Sequence, residues 1–381
     1  MSCKHLVVIL DGLGEAQMPS TLIRASTPFL DRLAKKGVVG LLDIHSPEDR
    51  QPPSSEKGIL SLCGALDLRD TVSRAELLTS GIEPEVSLKG PHWVWLLNPA
   101  RIENGRLESY VESASPHALW ERFLNQVDRA GAGPIFRYSP VRRADGAIVR
   151  MAAFYPVGSE TPSSAPVPAR GERLPDGGVL GDLIMEASGF LPPDPEFNCV
   201  WPWGMGKWRP ESGNPAPVAN TGRWMVAAVP LARSIGRYLH WTVPPVPGGT
   251  GDTDTSLENK RDVVLSALRH PETTHVFCHI EGFDLASHRR NPEEKRLFLE
   301  RFDKEFVPAL AQALDEDIVD NLWFTCDHLS SPVTGNHECG PVPFLHLSRN
   351  LERTGSGRFE ESVAASGPRL SIARWKESIQ L

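Results

Sequence analysis

Acidic and imidazole side chains come together near the end of the chain, where an apolar run stops. Leu322–Phe324 predicts a buried strand, and Asp327 and His328 follow it closely. Proline and glycine then force a loop, which carries His337. Carboxylates and imidazoles ligate metals, and the carboxyl end of a strand in an open α/β sheet is where ligands bind. Taken alone, the same residues also fit a capped turn with one surface histidine.

Another carboxylate follows a strand at the start of the chain. Leu6–Leu10 is a continuous apolar run that ends at Asp11 and a tight glycine turn, which is typical of a central parallel strand. Asp11 is therefore predicted at the carboxyl end of that strand. Its alternative role is to cap the turn.

A third junction carries an Asp/His pair. Thr274–Ile280 predicts another buried strand, and Asp284 and His288 follow it four positions apart. If this segment is helical, the two side chains share one face and can bind one ion. The alternative is a surface contact between the two residues.

A serine opens a predicted helix after the polar loop 46–53. Ser55 is followed by apolar residues at helical spacing as far as Gly64. Serine at a helix start is usually an N-cap. It is also where a nucleophilic hydroxyl gains most, because the backbone N–H groups and dipole of the helix start favour a phosphoryl oxygen.

Together these junctions supply three carboxylates, three imidazoles and one hydroxyl. A pair of divalent ions, with a serine bridging to substrate, accounts for them economically, because paired metals hold both oxygens of a phosphoryl transfer. Mn²⁺ or Zn²⁺ suits mixed imidazole and carboxylate ligands better than Ca²⁺, and Mg²⁺ is an alternative. The predicted metal ligands are Asp11, Ser55, Asp284, His288, Asp327, His328 and His337.

Length and charge limit the remaining possibilities. The chain has 381 residues, which favours two domains, and its net charge of −8 includes no block of like charge. No basic face for nucleic acid is visible. Six cysteines are scattered without a CxxC pair, which favours reduced thiols. The first apolar run is too short for a signal peptide, and no run approaches membrane length, so a cytoplasmic protein without membrane contact is expected.

Predicted helices and strands lie on both sides of a middle segment that has a different composition. Thr27, Pro28 and Gly37 bound a predicted helix that leads into strand Val38–Leu42. Later, Leu257–Leu268 predicts a helix, and the amphipathic stretch 292–314 predicts a helix that Pro308 kinks or breaks.

The middle of the chain is rich in proline, glycine and tryptophan and lacks a clear strand–helix alternation. Within it, Gly146–Phe154 predicts a strand, Pro116–Val127 a helix and Gly158–Pro175 a mobile loop. The predicted fold is α/β: a doubly wound, mostly parallel sheet formed by residues 1–88 and 231–381, with an α+β cap domain inserted at 89–230.

The order of these motifs resembles the alkaline phosphatase superfamily. The chain is most similar to archaeal-type cofactor-independent phosphoglycerate mutases and their bacterial relatives once proposed as homoserine kinases. The resemblance covers roughly residues 4 to 85 and 198 to 346. It is carried by Asp11-Gly-x-Gly14, Thr27-Pro-x-x-Asp-x-Leu-Ala34, Asp284-x-x-x-His288, Asp327-His328, His337-x-x-x-Pro-Val-Pro343, Trp201-Pro-Trp-Gly204 and His279-Ile-Glu281.

The resemblance implies a role for each predicted ligand. Asp11, Ser55, Asp327 and His328 would bind one metal, and Asp284, His288 and His337 would bind the other. Ser55 would be the nucleophile and would form a phosphoserine that is delivered to a hydroxyl or to water. The resemblance also implies a small phosphorylated or phosphonylated substrate.

The cap departs from the mutases. Where they carry an arginine-rich segment for phosphoglycerate, residues 107–114 read Leu-Glu-Ser-Tyr-Val-Glu-Ser-Ala, and acidic side chains cannot clamp a carboxylate or phosphate. Cationic candidates for a different clamp are Arg74, Lys207, Arg209 and Arg223. We therefore expect a mutase-like phosphotransferase with a changed substrate. The alternatives are a phosphohydrolase or phosphodiesterase of the same superfamily, and a non-catalytic binding protein on this fold. The oligomeric state stays open.

Overall fold

The computed structural model describes most of the chain, in two compact units. The described residues are 3–44, 54–80, 88–111, 135–142, 148–158, 161–168, 170–175, 177–189, 191, 194–209, 222–349, 355 and 357–381. One unit comprises Met1–Asp70 and Val218–Leu381, and the other comprises Thr71–Pro217. The two ends of the chain thus form one unit, and the middle forms the other.

The described residues form strands and helices along the whole chain. The strands are β1 (His5–Leu10), β2 (Val38–Asp43), β3 (His92–Glu103), β4 (Arg106–Tyr110), β5 (Arg137–Arg142), β6 (Ile148–Pro156), β7 (Cys199–Trp208), β8 (Arg223–Val226), β9 (His275–Ile280), β10 (Asn321–Thr325), β11 (Leu329–Ser330), β12 (His337–Glu338), β13 (Val342–Ser348) and β14 (Arg369–Ser371). The helices are α1 (Thr21–Arg24), α2 (Pro28–Ala34), α3 (Ser55–Leu62), α4 (Arg74–Thr79), α5 (Gly178–Ser188), α6 (Pro230–Tyr238), α7 (Leu257–Arg269), α8 (Gly282–His288), α9 (Pro292–Glu305), α10 (Val307–Asp315), α11 (Glu361–Ala365) and α12 (Ile372–Ser378).

The first unit contains a seven-stranded sheet in the order β14-β2-β13-β10-β1-β9-β8. Strand β13 runs antiparallel to both of its neighbours, and every other neighbouring pair is parallel. All six residues of β1 are buried, as expected for an apolar strand at the centre of a parallel sheet. The predicted α/β fold with a mostly parallel sheet is confirmed.

The helices of this unit pack in two groups. Helix α9 contacts α1, α2, α8 and α10, whereas α3 contacts α6 and α12. The helices predicted at residues 27–37 and Leu257–Leu268 are confirmed as α2 and α7. The predicted break near Pro308 is also confirmed: α9 ends at Glu305, and Pro308 lies in the first turn of α10, where proline fits best.

The central parallel strands β1, β9 and β10 end at the same edge of the sheet. In register, His5 of β1 pairs with His275 of β9 and with Asn321 of β10. These paired residues are at the start of the three strands. Because the strands run in the same direction, the residues that follow their carboxyl ends meet at the other edge of the sheet. Asp11 and Asp327 are among those residues. The fold therefore gathers carboxylates at one edge of the sheet.

The second unit is an antiparallel sheet with a helix packed on it. Strand β3 pairs with β4, β6 and β7, and β6 pairs with β5. Helix α5 packs on β7. Their core buries Trp95, Phe136, Phe197 and Leu183 almost completely. The tryptophan-rich part of the sequence thus forms an α+β core.

Two predictions about this unit had different outcomes, and a third lies outside the described residues. The strand predicted at Gly146–Phe154 is confirmed as β6. The prediction of a mobile loop at Gly158–Pro175 stays a prediction; among its described residues, Ser163 O accepts from Trp95 Nε1 at 3.1 Å and Ala165 N donates to Pro202 O at 3.1 Å. The helix predicted at 116–127 is the one outside the described residues.

The boundaries of the two units differ from the predicted ranges. Strand β8, inside the predicted cap, pairs with β9 in the large sheet, whereas α4, inside the predicted first part, packs on β7 of the second unit. Both elements are short, six residues or fewer, so sequence periodicity could not show which core each one joins. The assignment of catalytic and cap roles to the units stays a prediction.

All six cysteines are free thiols, as predicted from their scattered positions. Among the helices of the described ranges, none combines the length and the apolar character needed to cross a membrane.

Two buried histidines at the amino edge of the large sheet predict acid sensitivity. The rings of His5 and His275 stack with centroids 5.0 Å apart, and His275 Nε2 lies 2.6 Å from Ile379 O. Burial lowers the pKa of His275 from 6.5 to about 4, although the Ile379 contact opposes that effect. As the pH falls below 6.5, His275 is therefore protonated in the unfolded chain before it is protonated in the folded protein. Stability should drop between pH 6.5 and about 4, by up to roughly 3 kcal/mol from this residue.

Urea unfolding at several pH values would measure this loss. The variant His275→Gln keeps an amide donor near Ile379 O and cannot titrate, so its stability should depend less steeply on pH over the same window. Equal slopes for the variant and the natural protein would contradict the assignment to His275.

Candidate metal centre

One cluster of possible metal ligands lies at the carboxyl ends of β1 and β10. Asp11, Asp327 and His328 are all buried, and one ligand atom from each lies within 4.8 Å of the others. His328 Nε2 is 3.2 Å from Asp11 Oδ1 and 3.5 Å from Asp327 Oδ2. Asp327 is held in place through its other oxygen, which accepts from Gly12 N at 3.2 Å and from His328 N at 3.1 Å.

The start of α3 brings a hydroxyl to this first cluster. Ser55 is the first residue of α3, and its Oγ lies 3.3 Å from His328 Nε2. The close approach depends on Gly58, one turn along the helix, because a Cβ there would lie 2.2 Å from Asp327 O. Ser54, the N-cap residue, makes no side-chain capping bond. Of the two serines, the structure thus places Ser55 at the cluster, as predicted.

A second cluster forms on α8 and on the β-hairpin β11–β12. Asp284, His288 and His337 place one ligand atom each within 4.8 Å of the others. His288 Nε2 is 3.0 Å from Asp284 Oδ2, and His337 Nε2 is 3.5 Å from Asp284 Oδ1. Asp284 and His288 share one face because α8 is a helix, as predicted from their spacing.

The two clusters adjoin. The rings of His328, in the first cluster, and His337, in the second, stack with centroids 3.7 Å apart. The turn after β1 also passes against the second cluster, because a Cβ on Gly12 would lie 2.8 Å from Asp284 Oδ1. Gly12 has φ +63°, so only glycine meets both the backbone and the space requirement. The predicted seven residues thus form two neighbouring groups with the predicted membership.

The hydrogen bonds of the histidines leave lone pairs aimed at the carboxylates. His288 Nδ1 lies 2.9 Å from Gly335 O, and His328 Nδ1 lies 3.3 Å from Leu329 O. A carbonyl oxygen only accepts, so each Nδ1 carries a proton, and in the neutral ring each Nε2 presents a lone pair to its cluster. A lone pair that faces a carboxylate oxygen at 3.0 to 3.2 Å is repulsive unless a cation lies between them.

Two buried carboxylate oxygens of the first cluster also lack a hydrogen bond within the described ranges. They are Asp11 Oδ1 and Asp327 Oδ2. Buried polar atoms normally find a partner, and these two oxygens both face His328 Nε2, at 3.2 and 3.5 Å. Mixed imidazole and carboxylate donors suit a transition metal. The residues present therefore fit one divalent ion in each cluster.

The carboxylates show an excess of buried negative charge at the first cluster. Burial and the neighbouring charges of Asp327 and Asp284 hold the pKa of Asp11 well above its usual range. Burial would also raise the pKa of Asp284, but its contacts with His288 and His337 outweigh burial and hold that pKa well below the usual range. A bound cation would relieve the charge around Asp11 without protonation.

A buried chain of charged residues behind the first cluster was not predicted. His279 Nε2 lies 3.6 Å from Asp11 Oδ2, and His279 Nδ1 lies 3.5 Å from Glu281 Oε1. Glu281 in turn accepts from Lys260 Nζ at 2.6 Å. Burial would lower the pKa of His279, but Asp11 and Glu281 outweigh it and raise that pKa. The sequence signal was a pair of polar residues two apart at the end of β9, on one face of an otherwise apolar strand.

A similar layer lies behind the second cluster and was also not predicted. Ser330 Oγ donates to Asp284 Oδ1 at 2.8 Å. Lys295, which is fully buried, donates to Ser330 O at 2.8 Å and lies 3.2 Å from Glu15 Oε1. Each cluster is thus backed by a buried lysine with a buried carboxylate partner.

The prediction that Arg223 contacts the substrate is wrong for a site at these clusters. Arg223 opens β8 and pairs in register with His275, which pairs with His5. His5 lies six residues before Asp11, and at about 3.3 Å per residue this places Arg223 roughly 20 Å away, at the opposite edge of the sheet.

The other predicted cationic residues lie in the second unit. The Arg74 guanidinium lies over the Trp203 ring, with Cζ 5.5 Å from its centroid, and Lys207 Nζ lies 4.8 Å from the centroid of Trp93. Arg209 follows β7 and is exposed. Their role in substrate binding stays a prediction.

Comparison with known proteins identifies the family. A model of the metalloenzyme superfamily matches residues 3–371. The chain belongs to this superfamily. The curated relatives include 2,3-bisphosphoglycerate-independent phosphoglycerate mutases from Methanosarcina acetivorans, 27% identical over 96% of both chains, and from Pyrococcus horikoshii, 25% identical over 96% of this chain and 92% of that protein. The predicted resemblance, and with it a metal-dependent, phosphoglycerate mutase-like enzyme, is confirmed.

Solved structures show the fold of this metalloenzyme superfamily member independently. A protein from Pyrococcus horikoshii has a TM-score of 0.73 at 20% identity and covers 100% of this chain and 97% of its own. The cofactor-independent phosphoglycerate mutase from Thermoplasma acidophilum has a TM-score of 0.55 at 17% identity, with 99% of both chains covered. Both similarities extend over both units of the chain.

Proposed function

We propose that the chain is a two-metal phosphotransferase that moves a phosphoryl or phosphonyl group through Ser55 and acts on a small metabolite. The observation that carries the proposal is the Ser55 hydroxyl, 3.3 Å from His328 Nε2 at the edge of two adjoining clusters. A hydroxyl in this position can serve both as a ligand and as the nucleophile.

The residues that would hold the ions are those of the two clusters. One ion would lie among Asp11, Ser55, Asp327 and His328, and the other among Asp284, His288 and His337. Mn²⁺ or Zn²⁺ suits these donors, with Mg²⁺ as an alternative. When bound, such ions neutralise charge on the transferring group and favour the ionised serine hydroxyl.

The position of Ser55 at the start of α3 supports its role as the nucleophile. The first backbone N–H groups of a helix have no partner inside it, so they can bind the oxygens of a phosphoryl group. Ser55 Oγ would form a bond to phosphorus while the bond to the substrate oxygen breaks, and the serine proton would end on that oxygen. A second hydroxyl would reverse these steps, so that no water is consumed.

The charge of the second unit supports a substrate other than phosphoglycerate. The segment that stands in the place of the mutases' arginine-rich clamp carries Glu108, which forms an ion pair with Arg170. Each lost charge-assisted hydrogen bond to a substrate carboxylate would cost about 1.5–3 kcal/mol. Losing two or three would cost orders of magnitude in rate, because the intermediate must be held in place while it recaptures the phosphate.

A metabolite panel assayed in heavy-oxygen water would test the proposal. We expect Mn²⁺-loaded protein to move the phosphate of at least one phosphorylated or phosphonylated compound to another hydroxyl, without heavy oxygen entering the phosphate. Conversion of 3-phosphoglycerate should be slower than that reaction by about 10³-fold or more. The same protein stripped of metal is the control.

Three outcomes would count against parts of this proposal. Release of heavy-oxygen phosphate would show a hydrolase. Efficient conversion of 3-phosphoglycerate would show that the second unit still clamps the mutase substrate. No turnover of any compound with Mn²⁺, Zn²⁺ or Mg²⁺ would contradict the enzyme proposal as a whole.

A further inference from the structure

His279 lies between two carboxylates in the interior of the first unit. It belongs to β9 and is 1% exposed. Its Nε2 faces Asp11 Oδ2 at 3.6 Å, and its Nδ1 faces Glu281 Oε1 at 3.5 Å. Within the described ranges, neither ring nitrogen has a hydrogen-bond partner. The ring is therefore set between these two carboxylates, which are its ion-pair partners.

Glu281 is fixed by contacts on its other side. Its Oε1 accepts from Ala228 N at 2.8 Å, and its Oε2 accepts from Lys260 Nζ at 2.6 Å. Lys260 is fully buried and also donates to His279 O at 2.8 Å. A buried lysine held by a carboxylate and a carbonyl cannot swing away without losing its charge partners. Glu281 thus provides a rigid acceptor for the His279 ring.

We propose that His279 is a positioning residue for Asp11. Glu281 fixes the ring on one side, and on the other side Nε2 faces Asp11 Oδ2 at 3.6 Å, where an N–H on that nitrogen pairs with the carboxylate. This contact leaves Asp11 Oδ1, which has no hydrogen bond, directed at His328 and the centre of the cluster. His279 would thereby fix which oxygen of Asp11 binds metal. The inference rests on the proposed two-metal function.

The second cluster supplies a matched comparison. Ser330 Oγ donates to Asp284 Oδ1 at 2.8 Å and is buried, as His279 is. Removing either contact takes one buried donor away from one metal-binding carboxylate. Ser330→Ala should therefore act on the second cluster alone, and His279→Asn on the first cluster alone.

Titration with Mn²⁺ alone, after treatment with a chelator, is the experiment. His279→Asn keeps an amide near the Nδ1 position and loses the donor to Asp11, whereas His279→Gln places an amide donor near the Nε2 position. We expect His279→Asn to weaken one of two Mn²⁺ sites by about tenfold or more and His279→Gln to restore most of that affinity. In a background with Asp284→Asn, which disables the second cluster, the His279→Asn effect should persist and the Ser330→Ala effect should vanish.

Each result either supports the inference or overturns it. Unchanged Mn²⁺ affinity in His279→Asn would overturn it. Equal losses of affinity in both His279 variants, together with a lower melting temperature of the metal-free variants, would also overturn it, because this result would indicate a role in packing alone. In both cases the natural protein still binds two Mn²⁺ ions, and the proposed function stands. If the natural protein binds no Mn²⁺, the proposed function itself fails and this inference fails with it.

Discussion

Replacing Ser55 with alanine is expected to abolish phosphoryl transfer, with a loss of turnover of about 10³-fold or more. Ser55 Oγ lies 3.3 Å from His328 Nε2 of the first cluster, and the two clusters hold six further candidate ligands. Those six residues remain in Ser55→Ala, so Mn²⁺ should still bind. Turnover of the best substrate from the metabolite panel would measure the effect. Rapid quenching should show phosphate on the serine peptide of the natural protein and none on that of the variant.

The neighbouring serine provides the control. Ser54 is the N-cap of α3 and makes no side-chain capping bond, so Ser54→Ala should change both stability and turnover little, within about threefold for the rate. Equal losses in the two variants would indicate damage to the start of α3. Full activity in Ser55→Ala would exclude Ser55 as the nucleophile.

The gathering of these residues at one edge of the sheet was predictable from chain direction, whereas their division between two clusters was implied by the family resemblance. Asp11 and Asp327 each follow an apolar strand, and parallel strands end at one edge of a sheet. Asp284 and His288 are four apart on a helix, so α8 places both on one face. The second unit's boundaries and the pairing of its short elements were beyond such arguments.

The residues behind the clusters were not predictable in the same way. His279 is part of a six-residue buried strand, and its partner Asp11 is distant in sequence. Lys260 and Lys295 lie on amphipathic helices, where lysine is usually exposed, yet both are fully buried. Their burial depends on Glu281 and Glu15, and sequence spacing does not show those partners.

Arg223 shows why charge alone is a poor guide to a substrate contact. It was proposed because guanidinium groups bind phosphate, but a strand has two ends, and only one of them lies at the clusters. Arg223 begins β8, so its register with His275 places it at the amino edge. The residues at the carboxyl edge follow their strands, as Asp11 does.

The variant Asp327→Asn is expected to stabilise the metal-free protein and to remove its stabilisation by Mn²⁺. Asp327 is fully buried, its Oδ2 has no hydrogen bond within the described ranges, and its charge helps to raise the pKa of Asp11, although burial contributes more. An amide nitrogen in the place of Oδ2 removes that charge and can donate to the His328 Nε2 lone pair, 3.5 Å away. The metal-free variant should therefore gain about 1 kcal/mol in the free energy of unfolding.

When Mn²⁺ is added, the natural protein should become more stable than Asp327→Asn. In the natural protein, each occupied site contributes about 2.7 kcal/mol when free Mn²⁺ is about 100-fold above the dissociation constant, and Asp327→Asn loses this contribution at the first cluster. Urea unfolding with and without Mn²⁺ would measure both effects. The control is Asp303→Asn, because Asp303 is also buried but its two oxygens accept from Phe29 N and Leu30 N at 3.1 and 2.7 Å. An amide there loses an acceptor, so this control should be less stable than the natural protein under both conditions, and by the same amount. If Asp327→Asn behaved like the control, the buried carboxylates would be structural and the case for a cation between Asp327 and His328 would fail.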